Sequence, residues 1–230
     1  MTIRPEQRAV QVWDDEGGRT PSNSGINPET DPAEYFVAES FQIPELTGIS
    51  ARNIHEHLEL YQGYVKSANR IIKRVRELTK DDDHLYELSL LQRRFAYEHA
   101  GLTHHEMFFE GFVGGPTACA ESGPFLKQVA KEFGDFDSLT ACLKGIAMTR
   151  GVGWVMLYSC PDTGHLIPHW IDEHHIGLLS GLRPILALDM WEHAFVYDYA
   201  TSEKEKYIDA LFQNLSWQKV EMRFEGGWHR

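Results

Sequence analysis

Twelve histidines lie among the 230 residues, and they are the first side chains to examine for chemistry, because an imidazole nitrogen can move protons or bind a metal ion. Spacing sorts them. On a helix that advances by about 100° per residue, His57 shares a face with Ile54, Tyr61 and Tyr64, whereas His55 points nearly opposite, beside Arg52 and Glu59. His57 therefore turns inward. His105 has Leu102, Phe108, Phe109 and Phe112 at helical spacing, an aromatic core face, while His104 sits toward its edge. Taken alone, His105 is better explained as a buried histidine bonded to a carbonyl.

The most informative segment is DMWEHAF, residues 189–195. Here an apolar run that reads as a strand ends in Asp189, and His193 follows four residues on at the start of a helix. A carboxylate and an imidazole at such a junction are costly to bury unless a cation compensates them. The plainer alternative is a helix start with Asp189 as its cap.

Elements must position these groups. Ser50 is placed to cap a helix that runs from there to about residue 78, and the acidic cluster Asp81 to Asp83 breaks it before a second helix, from about His84 to Phe112, with an interruption expected near Gly101. Two long helices joined by a short polar turn form an antiparallel hairpin. Beyond it come helices over Phe125 to Phe133 and Phe136 to Met148, and then a strand, GWVMLYS. A PDTG turn leads to a second strand, HLIPHWI, and a third apolar run, ILALDMW, precedes a tail from Glu192 to Phe224 that reads as helix. The fold class is α+β: an extended or disordered arm over 1–40, a long α-hairpin domain over 41–113, and an α/β domain with a three-stranded antiparallel sheet over 114–230.

The pattern D-x-W-E-H-A-[FY] resembles the C-terminal metal signature of the iron/manganese superoxide dismutases. Other segments resemble the same family in order: ISARNIHEHLELYQGYVKSAN its first-helix motif, HHEMFFE its second-helix ligand segment, GVGWVMLYS its G-x-G-W strand, and NLSWQKVEMRF its C-terminal pattern. The resemblance runs from about Gly48 to Phe224 and implies His57, His105, Asp189 and His193 as ligands of one iron or manganese ion per subunit. It further implies superoxide as substrate, disproportionated to oxygen and hydrogen peroxide. Tyr64 is the implied gateway tyrosine, and His174 the implied group bonded to the solvent molecule on the metal. Trp191 is implied to pack beside the ligands with Trp154 and Phe109. Glu192 is implied to reach the partner subunit's His193 in a homodimer or a dimer of dimers.

Three departures stand out. Tyr64 follows His57 one residue sooner than the common family pattern, so a local bulge in the first helix is expected to be missing. Tyr61 stands where many members have a histidine, and Val196 where they have the tyrosine that pairs with it across the subunit interface. Gly101 occupies the position where iron-type members often place a glutamine, which moves that role to His174. An alternative reading is a non-catalytic or metal-poor homologue acting as a structural or interaction protein; the intact ligand set argues against it.

Composition narrows the classes. With 22 basic residues against 34 acidic ones, the formal charge of -12 argues against a nucleic-acid binder, and no apolar run reaches the roughly 20 residues of a membrane span. The same charge repels an anionic substrate, so steering must come from local basic groups. Cys119, Cys142 and Cys160 are odd in number and widely spaced, as expected of reduced thiols. The first residues have no apolar core of a secretory signal, and the cytoplasm is the expected location.

Overall fold

A computed structural model describes residues 34–78 and 84–227. The expected arm up to residue 33 and the acidic break at Asp81 to Asp83 lie outside the described residues. Helix α1 spans Ala51–Leu78, and the Ser50 hydroxyl accepts the Asn53 N–H at 3.1 Å, satisfying one of the donors that a helix start leaves unpaired. Its buried stripe, Ile54, His57, Tyr61, Tyr64, Val65, Ala68 and Ile71, recurs every three or four residues. Helix α2 spans Leu85–Glu110 without interruption. The break expected at Gly101 is absent: a mid-helix glycine costs only about 1 kcal/mol relative to alanine, and the Tyr64 ring packs where a side chain at 101 would be.

The cross-contacts Tyr61 to Glu106, Tyr64 to Tyr97 and Arg74 to Glu87 rise along α1 as they fall along α2, so the pair is an antiparallel hairpin. Residues 34–40 have no regular structure but are not loose. Phe36 exchanges two hydrogen bonds with the Asn69 side chain, at 3.0 and 2.7 Å, and the Glu39 N–H donates to the Tyr61 hydroxyl at 2.9 Å.

Helices α3 (Pro124–Phe133) and α4 (Phe136–Ala147) follow. A proline opens α3, where its missing N–H has no partner to lose. Asp135 caps α4 by accepting the Ser138 N–H at 2.7 Å. Strands β1 (Gly153–Ser159), β2 (Leu166–Asp172) and β3 (Arg183–Asp189) form one antiparallel sheet in the order β2-β1-β3. The central strand β1 is buried throughout, so it reads as a continuous apolar run rather than an alternation. Gly153 begins it because any side chain there would strike the Ile171 carbonyl and the Trp170 ring.

The tail differs from the continuous helix expected from Glu192. Trp191 is held extended by a bond from its N–H to the Asp189 carboxylate, at 2.8 Å, so only short 3-10 turns, Glu192–Ala194 and Thr201–Glu203, form before α5 (Lys204–Asn214) and α6 (Trp217–Phe224). Among the described residues, no helix is long and apolar enough to cross a membrane.

Arg223 of α6 is wholly buried and bonds the Ile185 carbonyl of β3 (3.2 Å), the Met107 carbonyl of α2 (3.2 Å) and the Glu110 carboxylate (2.7 Å), joining three elements. Arg223→Met keeps the length but drops these bonds. Because Glu110 can rehydrate, the expected loss is about 2–3 kcal/mol, read from the urea midpoint at unchanged slope.

Candidate metal centre

The hairpin and the sheet meet at one buried point. His57 comes from α1, His105 from α2, Asp189 from the last residue of β3 and His193 from the turn after it, and one ligand atom from each lies within 4.8 Å of all the others. Asp189 Oδ2 is the common neighbour, at 3.2 Å from His57 Nε2, 3.4 Å from His105 Nε2 and 3.1 Å from His193 Nε2. The other carboxylate oxygen accepts the Trp191 N–H, and the Asp189 carbonyl accepts the Tyr207 hydroxyl at 2.9 Å. Asp189 does not cap a helix start: it fixes the backbone of the turn with one oxygen and leaves the other among the three imidazoles.

The donor set fits a cation. His105 Nδ1 lies 2.6 Å from the Gly101 carbonyl, which only accepts, so Nδ1 carries the ring proton. Burial, with His57 alongside, pushes the His105 pKa well below its ordinary value, so the ring is neutral and Nε2 is a bare lone pair. Burial pushes the Asp189 pKa up, but the charge and hydrogen bonds of His193 and His57 pull it well below the usual carboxylate range. A bare imidazole nitrogen thus faces an ionised oxygen across 3.4 Å with no hydrogen between them. His57 Nε2 is buried 3.2 Å from the same oxygen, and its pKa is lowered by burial against the pull of Asp189. Only a cation at the shared point turns these opposed lone pairs into favourable contacts.

Aromatic rings close the space. Phe109 lies 4.9 Å from His57, Trp154 5.0 Å from His105, and Tyr64 stacks on His105 at 5.1 Å, all between ring centres. Helix α1 carries no bulge, and on an unbroken helix the seven-residue step from His57 to Tyr64 brings both side chains to the same buried face. His174 is fully buried, stacks on Trp191 at 4.8 Å, and sits 2.7 Å through Nε2 from the Tyr64 hydroxyl. Its Nδ1 accepts the Trp154 indole N–H at 3.0 Å.

Residues 121–223 match the family described as iron/manganese superoxide dismutases, C-terminal domain. The "Superoxide dismutase [Fe]" of Cupriavidus metallidurans is 32% identical over 183 residues, covering 78% of this chain and 90% of that protein. The chain belongs to the iron/manganese superoxide dismutase family. The "Superoxide dismutase [Mn/Fe]" of Aeropyrum pernix is 28% identical over 199 residues, covering 84% of this chain and 88% of its own. "Superoxide dismutase [Mn] 2" of Halobacterium salinarum is 30% identical over 168 residues, 72% of this chain and 80% of that one.

Within this dismutase-family chain, the cluster of four and the rings of Tyr64, His174, Trp154, Trp191 and Phe109 come together. Glu192 does not: its side chain is exposed beside His193, whose Nδ1 is buried without a partner. His104, which the sequence places at the edge of the face, is buried 5.4 Å from Trp154, with its pKa lowered by burial to about 4. Sequence reasoning misses Tyr97. It packs edge-on against His174 at 4.6 Å, and its step of four residues to Gly101 and eight to His105 is the helical signal that reveals it.

Asp189→Ala removes the shared neighbour and is expected to leave well under one metal ion per chain by elemental analysis; full occupancy would move the fourth ligand elsewhere. A Cβ at position 101 would come within 2.8 Å of the Tyr64 ring. Gly101→Ala should therefore destabilise by about 1–3 kcal/mol through overpacking and displace Tyr64, visible in a crystal structure. In metal-free protein the folded pKa of His104 is about 4 against 6.5 ordinarily, and that of His174 about 3. The unfolded chain then binds more protons, so stability is full above about 6.5 and falls as pH drops toward these folded values, measurable as a declining urea midpoint.

Proposed function

We propose that this chain is a superoxide dismutase, converting two superoxide anions and two protons to oxygen and hydrogen peroxide. The observation that carries the reading is the convergence of three imidazoles and one carboxylate on a single buried point. His57, His105, Asp189 and His193 would hold an iron or manganese ion, which would supply the one-electron redox chemistry.

This chain's own residues supply what the ion does not. His174 carries its proton on Nε2, because Nδ1 accepts from Trp154, so it donates to the Tyr64 oxygen and fixes the phenol in place. Burial raises the Tyr64 pKa well above its ordinary value, so its hydroxyl stays protonated and ready to donate. Trp154, Trp191 and Phe109 are all buried and exclude water from the ligand set.

The subunit organisation belongs to the same proposal. The hairpin domain over 41–113 and the α/β domain over 114–230 each contribute two ligands, so their interface is the site. The exposed Glu192 carboxylate and the partnerless Nδ1 of His193 are complementary. Glu192 then reaches the partner subunit's His193 in a homodimer, which pairs further where dimers of dimers form, and the enzyme acts in the cytoplasm.

Iron-loaded and manganese-loaded protein, each assayed for metal content and superoxide consumption, tests the reading: near one ion per chain with activity in at least one form is expected. Well under one ion per chain after reconstitution would favour a non-catalytic scaffold. His174→Ala is expected to lower turnover on the order of tenfold or more with metal content near normal; unchanged turnover would remove His174 from the proton path.

A further inference from the structure

Tyr97 is buried in the wall of the site, yet the cycle described above gives it no role. Its ring lies 6.1 Å from that of Tyr64, close enough for the two phenols to interact through their side chains. On its outer side the Arg94 guanidinium sits 4.1 Å over its ring and pairs with Glu98 at 2.6 Å, and the His175 ring lies 5.7 Å away. Arg94 has nearly half its side chain in solvent. The order from inside outward is therefore His105, Tyr64, Tyr97 and the Arg94, Glu98, Glu173 and His175 rim.

The hydrogen bonds at the Tyr64 oxygen leave a definite opening. His174 Nε2–H fills one lone pair of that oxygen, which keeps one lone pair and one hydrogen. Tyr97 is the phenol that meets this remainder. Tyr97 itself is held protonated, burial pushing its pKa up to about 12.

We propose that Tyr97 is the outer hydroxyl of a two-tyrosine relay, a positioning residue that orients the Tyr64 hydroxyl and returns a proton to it from the Arg94 rim. The inference rests on the dismutase reading and on Tyr64 as its inner donor. Superoxide reduced by one electron must take up two protons to leave as hydrogen peroxide, and the relay would deliver them in two successive passes. In each pass the Tyr64 O–H bond breaks toward the reduced dioxygen, the Tyr97 proton passes to the Tyr64 oxygen, and a water at the rim gives a proton to Tyr97 and leaves as hydroxide. No charge is left on either phenol at the end of the sequence.

Tyr97→Phe tests this in the metal-loaded enzyme, since it keeps the ring against His174 and Arg94 and removes only the hydroxyl. Metal content should be unchanged, kcat should fall on the order of tenfold with kcat/KM near wild type, and an added small acid such as imidazolium should recover part of the loss. Tyr64→Phe with Tyr97→Phe should be no slower than Tyr64→Phe alone, because the two hydroxyls act in series. A second readout needs no turnover. The ultraviolet Raman doublet that reports tyrosine hydrogen bonding should change for Tyr64 in Tyr97→Phe, and the same substitution in a Tyr64→Phe background should show only the loss of Tyr97 itself. Unchanged kcat and an unchanged Tyr64 doublet, in a wild-type protein that consumes superoxide, would overturn the relay. A loaded wild type that consumes none would overturn the dismutase reading, and the relay with it.

Discussion

The buried Asp189 carboxylate is the constraint on which the rest of the structure turns. A carboxylate removed from water is tolerated only when its lone pairs are matched. At the end of β3 the two oxygens have different partners, Oδ1 taking the Trp191 N–H while Oδ2 is left for three imidazoles. Two of those imidazoles stand on the helical hairpin and the third on the turn after the sheet. Docking the hairpin against the sheet and completing the donor set are consequently one event, and an ion that binds only the docked state adds its binding free energy to folding.

The wall around that point is fixed from the sheet side. Indole N–H groups only donate, so Trp154 of β1 selects the tautomer of His174, and His174 in turn orients Tyr64 of α1. The loop that presents His174 is strained for this purpose. Glu173 has φ of 52°, the only positive value among the described non-glycine residues, a conformation costing about 1–3 kcal/mol. Paired backbone bonds between Asp172 and Ile176, at 3.0 and 3.2 Å, hold it, and the turn sends His174 inward and leaves His175 nearer the surface.

Most of this frame is legible in the chain itself, because the signals are local. Ser50 before a stripe at helical spacing and the apolar run ending at Asp189 each state their element within a few residues. The four inward groups sort by helical face and by position at a strand end. What escapes is set by tertiary contact. Gly101 reads as a break until the Tyr64 ring fills its place, and Tyr97 goes unmarked until its neighbour is known to be Tyr64. The tail reads as helix from Glu192 because nothing in that stretch announces that the Trp191 N–H is already claimed by Asp189. Glu192 is exposed in one chain, so a single subunit gives it no position to fill.

The same contacts explain how the departures from the family pattern fit together. Tyr61, which replaces a histidine common in the family, lies fully buried, donates to Glu106 at 2.8 Å and accepts from the Glu39 backbone. A hydroxyl spent on these two bonds is committed to α2 and to the chain entering α1, and it has no hydrogen left for a group on another subunit. Val196, where the family would place the tyrosine that meets it, is correspondingly exposed and apolar. Once position 61 is turned inward, a polar side chain at 196 has lost its partner. With that polar bridge gone, the hydroxyls that adjoin the ligand set from the hairpin are those of Tyr64 and Tyr97, on facing helices, and their contact lies within one chain.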